Sequence, residues 1–155
     1  MNAAEQANSL ENVTKIATVV NIFKRSFPDA TSDLKPWATD VDTREQVDPH
    51  SIDIGFHFPG WSPRYQCRSV LVQVRFYRDP ESKERRAIGA EVAGFSHVGE
   101  QWRLSTVKDW CFIGMAIPED EPQSALKVFC RELLMVFNDR ESGPPADGSP
   151  DGSSA

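Results

Sequence analysis

The sequence predicts an α+β domain of two layers, an antiparallel sheet of four to five strands with an N-terminal and a C-terminal helix packed on one face. Three observations lead there. Between Ser51 and Val107, short apolar runs alternate with polar residues at a period of two, as in Ile52, Ile54, Phe56, Phe58 and in Val70, Val72, Val74, Phe76. Alternation of this kind marks antiparallel strands with one buried and one wet face. Apolar residues at helical spacing precede this region and follow it, so the helices are segregated around a meander.

The first helix is expected over Leu10–Phe27, where Leu10, Val13, Ile16, Val20, Phe23 and Phe27 recur at steps of three and four. Asn8 and Glu11 have capping-box spacing, and Pro28 supplies the stop. Thr31 to Pro49 reads as a long acidic connection with a short turn or edge strand near Trp37 to Val41, anchored by Trp37. Strands are expected over about 51–58, 66–78, 85–95 and 101–107, with Ile88, Ala90 and Val92 inward on the third. Pro59-Gly60-Trp61-Ser62-Pro63 is the first turn and Asp79 to Glu84 a charged hairpin loop; Gly94 marks a bulge or kink. Cys111 to Ile117 suits a fifth strand. The last helix is expected over Pro122–Asn138, with Asp120 as N-cap and Gln123 at the capping-box position. Its apolar residues cover more than half its surface.

Residues 1–8 are expected to be a flexible N-terminus, 9–139 a single domain, and 140–155 a disordered acidic tail rich in Ser, Gly, Pro and Asp. A chain of 155 residues with 39% hydrophobic content can bury a core without disulfides or metals. The three cysteines cannot all pair with one another, and no run of about 18 apolar residues offers a membrane span. A cytoplasmic location is expected, since Met1 to Asn8 is polar and carries Glu5.

The net charge of −6 is unevenly spread. Asp29 to Asp53 holds seven acids against Lys35 and Arg44, whereas Arg64 to Arg86 holds seven bases against Asp79, Glu81 and Glu84. A phosphate field repels an acidic body, so nucleic acid is an unfavoured partner, and a basic patch on such a body suits a protein surface.

No constellation for chemistry stands out. His50, His57 and His97 are the candidates for proton transfer, but no nucleophile elbow or metalloprotease helix accompanies them. His57, Cys67, His97 and Cys111 supply zinc-type donors without the close pairs that zinc sites use. Glycine-rich phosphate loops are absent. Neither a metal nor a cofactor is expected. Phe56 to Tyr65 packs aromatics, prolines and Arg64 into ten residues, and binding hot spots favour Trp, Tyr and Arg.

The expected function is that of a non-enzymatic adaptor or assembly and chaperone-type factor that binds another protein. Trp61, Arg64 and Tyr65 would make the contact, with Arg75, Arg78 and Arg86 on a basic sheet face selecting by charge. The apolar last helix offers a homodimer contact. Two alternatives remain open: a small-molecule binder or enzyme using a cavity between sheet and helices, and a single-stranded RNA binder using the basic hairpin.

Overall fold

The computed structural model describes residues 1–37 and 50–138. In chain order the elements are α1 (Ala3–Gln6), α2 (Leu10–Ser26), β1 (Thr31–Asp33), β2 (Ser51–Ser62), β3 (Cys67–Arg78), β4 (Arg85–Ser96), β5 (Gly99–Ser105), β6 (Cys111–Gly114) and α3 (Asp120–Asn138). The strands form one six-stranded antiparallel sheet in sequence order, which does not close into a barrel. The α+β architecture expected from the sequence is the one observed, with β1 added as an edge strand.

The helix-facing side of the sheet carries Ile52, Ile54, Phe56, Val70, Val72, Val74, Ala90, Val92, Trp102 and Leu104, all buried. They meet Ile16, Val19 and Phe23 of α2 and Leu126, Phe129, Cys130 and Leu133 of α3 in a single apolar cluster. Phe23 is its hub: its ring stacks on Phe56 at 3.8 Å and Phe27 at 4.1 Å, and meets Phe129 edge-on at 5.2 Å. Such ring pairs add about 0.5–1.5 kcal/mol each beyond the area they bury.

Local chemistry explains where the elements start and stop, and where expectation and structure differ. The cap of α2 is Ser9, not Asn8: Ser9 has extended backbone angles and its hydroxyl accepts from the Asn12 amide at 3.1 Å. Helix α3 starts at Asp120, its first-turn amide of Gln123 donating to the Glu119 carbonyl. The Gln123 side chain reaches back to the Pro118 carbonyl and makes no capping box.

Strand β2 runs on through Pro59 to Ser62, because regular pairing lapses between His57 and Ser62 and no ladder bond needs the missing proline N–H. The turn falls at Pro63 to Gln66, closed by the Gln66 amide on the Ser62 carbonyl at 2.7 Å. In β4, a register shift opposite Arg75 and Phe76 inserts one extra residue. Ile88 is therefore 54% exposed and not inward as expected, while Ala90 and Val92 keep their places in the core. Gly94 does mark an irregularity, the β4–β5 register slipping between it and Phe95. The Trp102 ring lies so close over Gly94 that a Cβ there would sit 2.4 Å from an indole carbon.

The N-terminal residues are packed, contrary to the flexible lead-in expected for 1–8. Ala3 is fully buried, the Ala4 amide donates to the Leu34 carbonyl, and Asn2 bridges Asp53 beside β1. Trp37 is held as expected: its amide donates to Asn2 Oδ1 at 2.9 Å and its indole N–H to Asp53. The expected turn or edge strand near Val41 and the expected tail over 140–155 lie outside the described residues. Among the described residues, no helix is long and apolar enough to cross a membrane.

Candidate functional site

The far end of the β2–β3 pair meets the link from α2 to β1, and a groove of about 380 Å³ opens between them. One wall is Phe58, Pro59, Trp61, Pro63 and Tyr65; the other is Phe27, Pro28 and Asp29. The Ser62–Cys67 pair and the turn hydrogen bond close the first wall, and the end of α2 holds the second. Phe58 and Tyr65 lie parallel, their planes 3° apart and their centres 6.1 Å apart, and Phe27 contacts Tyr65 at 4.5 Å. Trp61 is 45% exposed and stands at the mouth.

Arg64 is fixed in two ways. Its guanidinium lies 4.8 Å from the Tyr65 ring centre, and it forks onto the Glu121 carboxylate, with Nε 3.0 Å from Oε1. The hydrogen bond to Glu121 raises the Arg64 pKa, and the same bond lowers that of Glu121. Both side chains are exposed, so the pair orients the groove rim more than it stabilises the fold.

Tyr65 forms part of the groove wall and presents little exposed surface. It is 4% exposed, burial raises its phenol pKa, and its hydroxyl meets no hydrogen-bond partner among the described residues. Its backbone carbonyl accepts the Trp102 indole N–H at 2.7 Å, which ties the turn to the core.

The three other sequence-predicted site residues lie elsewhere. Strand β3 is 12 residues long, so its two ends stand roughly 35 Å apart at the rise of an antiparallel strand. Arg78 and Arg86 are at the hairpin end, remote from Trp61. Arg78 pairs with Arg85 in the register and Arg86 with Tyr77, so Arg78 and Arg86 point to opposite faces.

Arg75 belongs to the outer face, within a charge ladder. Glu91 accepts from Arg75 Nε at 3.4 Å and from Arg103 Nη1 at 2.5 Å, and Arg103 Nη2 donates to Glu100 at 2.8 Å. The Glu100 bond, ahead of those to Glu91, raises the Arg103 pKa against the opposing effect of burial. Arg75, expected to select a partner by charge, is therefore matched on this face by Glu91.

The same outer side carries a second groove of about 460 Å³, walled by Leu71, Phe95, Pro36 and Trp37, with His57 Nε2 3.1 Å from Asp33 at the rim. Nearby, Asp53 is fully buried and accepts from Ser51 Oγ at 2.8 Å and from the Met1 amino group at 3.0 Å.

His50, His57 and His97 are not gathered. His50 precedes β2, His57 lies seven residues on at its other half, and His97 is in the β4–β5 turn. Among the described residues, no group of three or more His, Cys, Asp or Glu could hold a metal ion. Cys67 and Cys130 are buried, and burial pushes each thiol up to about 12, whereas Cys111 is exposed on β6. Iodoacetamide at pH 8 is accordingly expected to add a single label to the native protein, at Cys111, and three after unfolding in urea. Intact-mass measurement checks this, and rapid native labelling of Cys67 or Cys130 would contradict their burial.

Phe27, Pro28 and Asp29 were not singled out by the sequence as site residues. Their only signal was the helix stop at Pro28, and the wall they make depends on how the chain returns from α2 to the sheet.

Fold and surface together define a small single-sheet α+β domain with an aromatic groove at one sheet end. The chain belongs to a family described as a domain of unknown function (DUF), whose model matches residues 4–139. No curated protein and no solved structure matches it.

Proposed function

We propose that this protein is a non-enzymatic adaptor that binds a partner protein by taking up an extended, proline-containing and basic segment in the groove at Trp61. The observation that carries the reading is the groove itself: parallel rings of Phe58 and Tyr65, an exposed Trp61, and proline edges on both walls, Pro59 and Pro63 on one and Pro28 on the other. Aromatic ridges with narrow gaps suit a polyproline II segment, which gives up little entropy on docking because it is already extended. The charge preference follows from Asp29, which lines the groove and has no ion-pair partner among the described residues. Arg64 is already matched by Glu121, so a basic side chain entering the groove faces Asp29 without an uncompensated repulsion.

A role in assembly or chaperoning would use the same contact. Self-association through α3 has weaker support: Val128 and Met135 are its exposed large apolar residues, and a stable interface needs roughly 800 Å² per partner. A second reading is favoured by one feature, the apolar groove of Leu71, Phe95, Pro36 and Trp37, whose size falls in the range of about 300–1,000 Å³ typical of small-molecule sites. That reading places a ligand on the outer face and not between sheet and helices.

Fluorescence polarisation with a labelled peptide of alternating proline and apolar residues plus one lysine tests the adaptor reading. Trp61→Ala is expected to weaken binding by about 30-fold, the effect of a hot-spot residue near 2 kcal/mol, with Arg86→Ala unchanged. Equal binding by wild type and Trp61→Ala, or no saturable binding by any such peptide, would remove the proposal.

A further inference from the structure

The β3–β4 hairpin end holds a recess of about 240 Å³ lined by Gln6, His50, Phe76, Arg78 and Arg85. It lies at the far end of β3 from Trp61 and is independent of the groove there. Its charge arrangement is unusual for a folded surface. Arg78 and Arg85 are direct cross-strand neighbours, a pairing of like charges that destabilises a sheet unless something offsets it.

Among the described residues, neither arginine has a carboxylate within ion-pair distance. Arg85 is instead fixed by neutral groups. It donates to Gln6 Oε1 and to Asn12 Oδ1, each at 3.3 Å, and its guanidinium lies 4.2 Å from the Phe76 ring centre. Arg78 Nη1 donates to the Lys83 carbonyl at 2.7 Å.

Burial, and after it the like charge of Arg78, pull the Arg85 pKa below its usual value, with Glu11 opposing. Glu11 is itself paired with Lys15 at 3.1 Å. The carboxylate nearest in influence is thus already engaged. The recess is preset, cationic and lacks a resident anion among its own side chains.

We infer that this recess is a binding site for a phosphate-class oxyanion, held between the guanidinium groups of Arg78 and Arg85. Two guanidinium forks present several N–H donors to one small volume, which matches a tetrahedral oxyanion better than a monovalent halide. Orientation by Gln6, Asn12, Phe76 and the Lys83 carbonyl means that little side-chain freedom is lost on binding.

The test is a titration of the full chain followed by amide shifts in ¹H–¹⁵N spectra, with separate arms of inorganic phosphate, O-phosphoserine, acetate and chloride at matched ionic strength. Saturable shifts at Gln6, Tyr77 and Arg85 are expected with phosphate or O-phosphoserine. Saturation by both indicates a site open to the free ion, and saturation by O-phosphoserine alone indicates a site for a phosphomonoester. Arg78→Gln, an exposed change that leaves the Arg85 packing in place, is expected to weaken binding about tenfold or more. Arg86→Gln, on the opposite face, should leave it unchanged. Equal saturation by acetate or chloride, no saturation by either phosphate probe, or unaltered affinity in Arg78→Gln would each overturn the assignment.

Discussion

Replacing Trp102 with alanine is expected to lower the free energy of unfolding by about 3–5 kcal/mol, the range for a large aromatic lost from a packed core. The indole is fully buried in β5, covers Gly94 on the neighbouring strand and contacts the Phe112 ring with centres 5.6 Å apart. Its N–H also satisfies the Tyr65 carbonyl. The alanine variant thus loses apolar contact, opens a cavity over Gly94 and leaves a buried carbonyl unpaired. Urea denaturation checks the value, and Trp102→Phe separates the parts, since it keeps a ring but removes the donor. A loss below about 1 kcal/mol for Trp102→Ala would mean that the β4–β5 contact is not packed as described.

Phe23→Ala is expected to cost a similar amount, about 3–5 kcal/mol, for a different reason. Phe23 is the side chain through which α2, β2 and α3 meet, with ring partners Phe27 just past α2, Phe56 on β2 and Phe129 on α3. Its removal should loosen the helical layer as a whole, so hydrogen exchange is expected to accelerate in both α2 and α3 while the β3 and β4 amides stay the most protected. Phe23→Leu should recover much of the loss, because a leucine refills most of the volume. Faster exchange confined to α2 would contradict the role of Phe23 as a bridge.

The parts of the fold written in local periodicity were legible from the sequence. Alternation at Ile52 to Phe58 and Val70 to Phe76 marks the buried sheet face, and the three-four spacing through Ile16 and Phe23 marks the helix that covers it. Periodicity says less about where an element meets its partner. Leu10 begins the apolar stripe of α2 yet is 82% exposed, because the helix starts beyond the edge of the packed layer. The bulge at Ile88 was equally hidden, although Gly94 announced the one beside it. Ile88 satisfies the alternation, but one extra residue opposite Arg75 and Phe76 turns it outward. The N-terminal residues look polar and unstructured in isolation, and their order comes from partners some fifty residues away, Ser51 and Asp53.

The candidate site was legible in half. The density of aromatics and prolines around Trp61 pointed to a shaped turn, and Arg64 lies at its rim. Arg78 and Arg86 are not gathered with Trp61 because they stand at the β3–β4 hairpin end, whereas Trp61 lies beside the opposite end of β3. Charge counted along the sequence likewise misjudged Arg75, whose partner Glu91 lies on the adjoining strand and is shared with Arg103. The opposite wall of the groove, Phe27 to Asp29, is a product of tertiary return and leaves no mark on local sequence.

The claim that a partner segment docks against these rings is tested most directly by nuclear Overhauser contacts between the unlabelled proline-lysine peptide and the isotope-labelled protein. The account predicts cross-peaks from the peptide proline protons to the rings of Trp61 and Phe58, with the lysine side chain close to Asp29. Cross-peaks instead to Leu71 and Phe95 on the outer face, with none to Trp61, would contradict it.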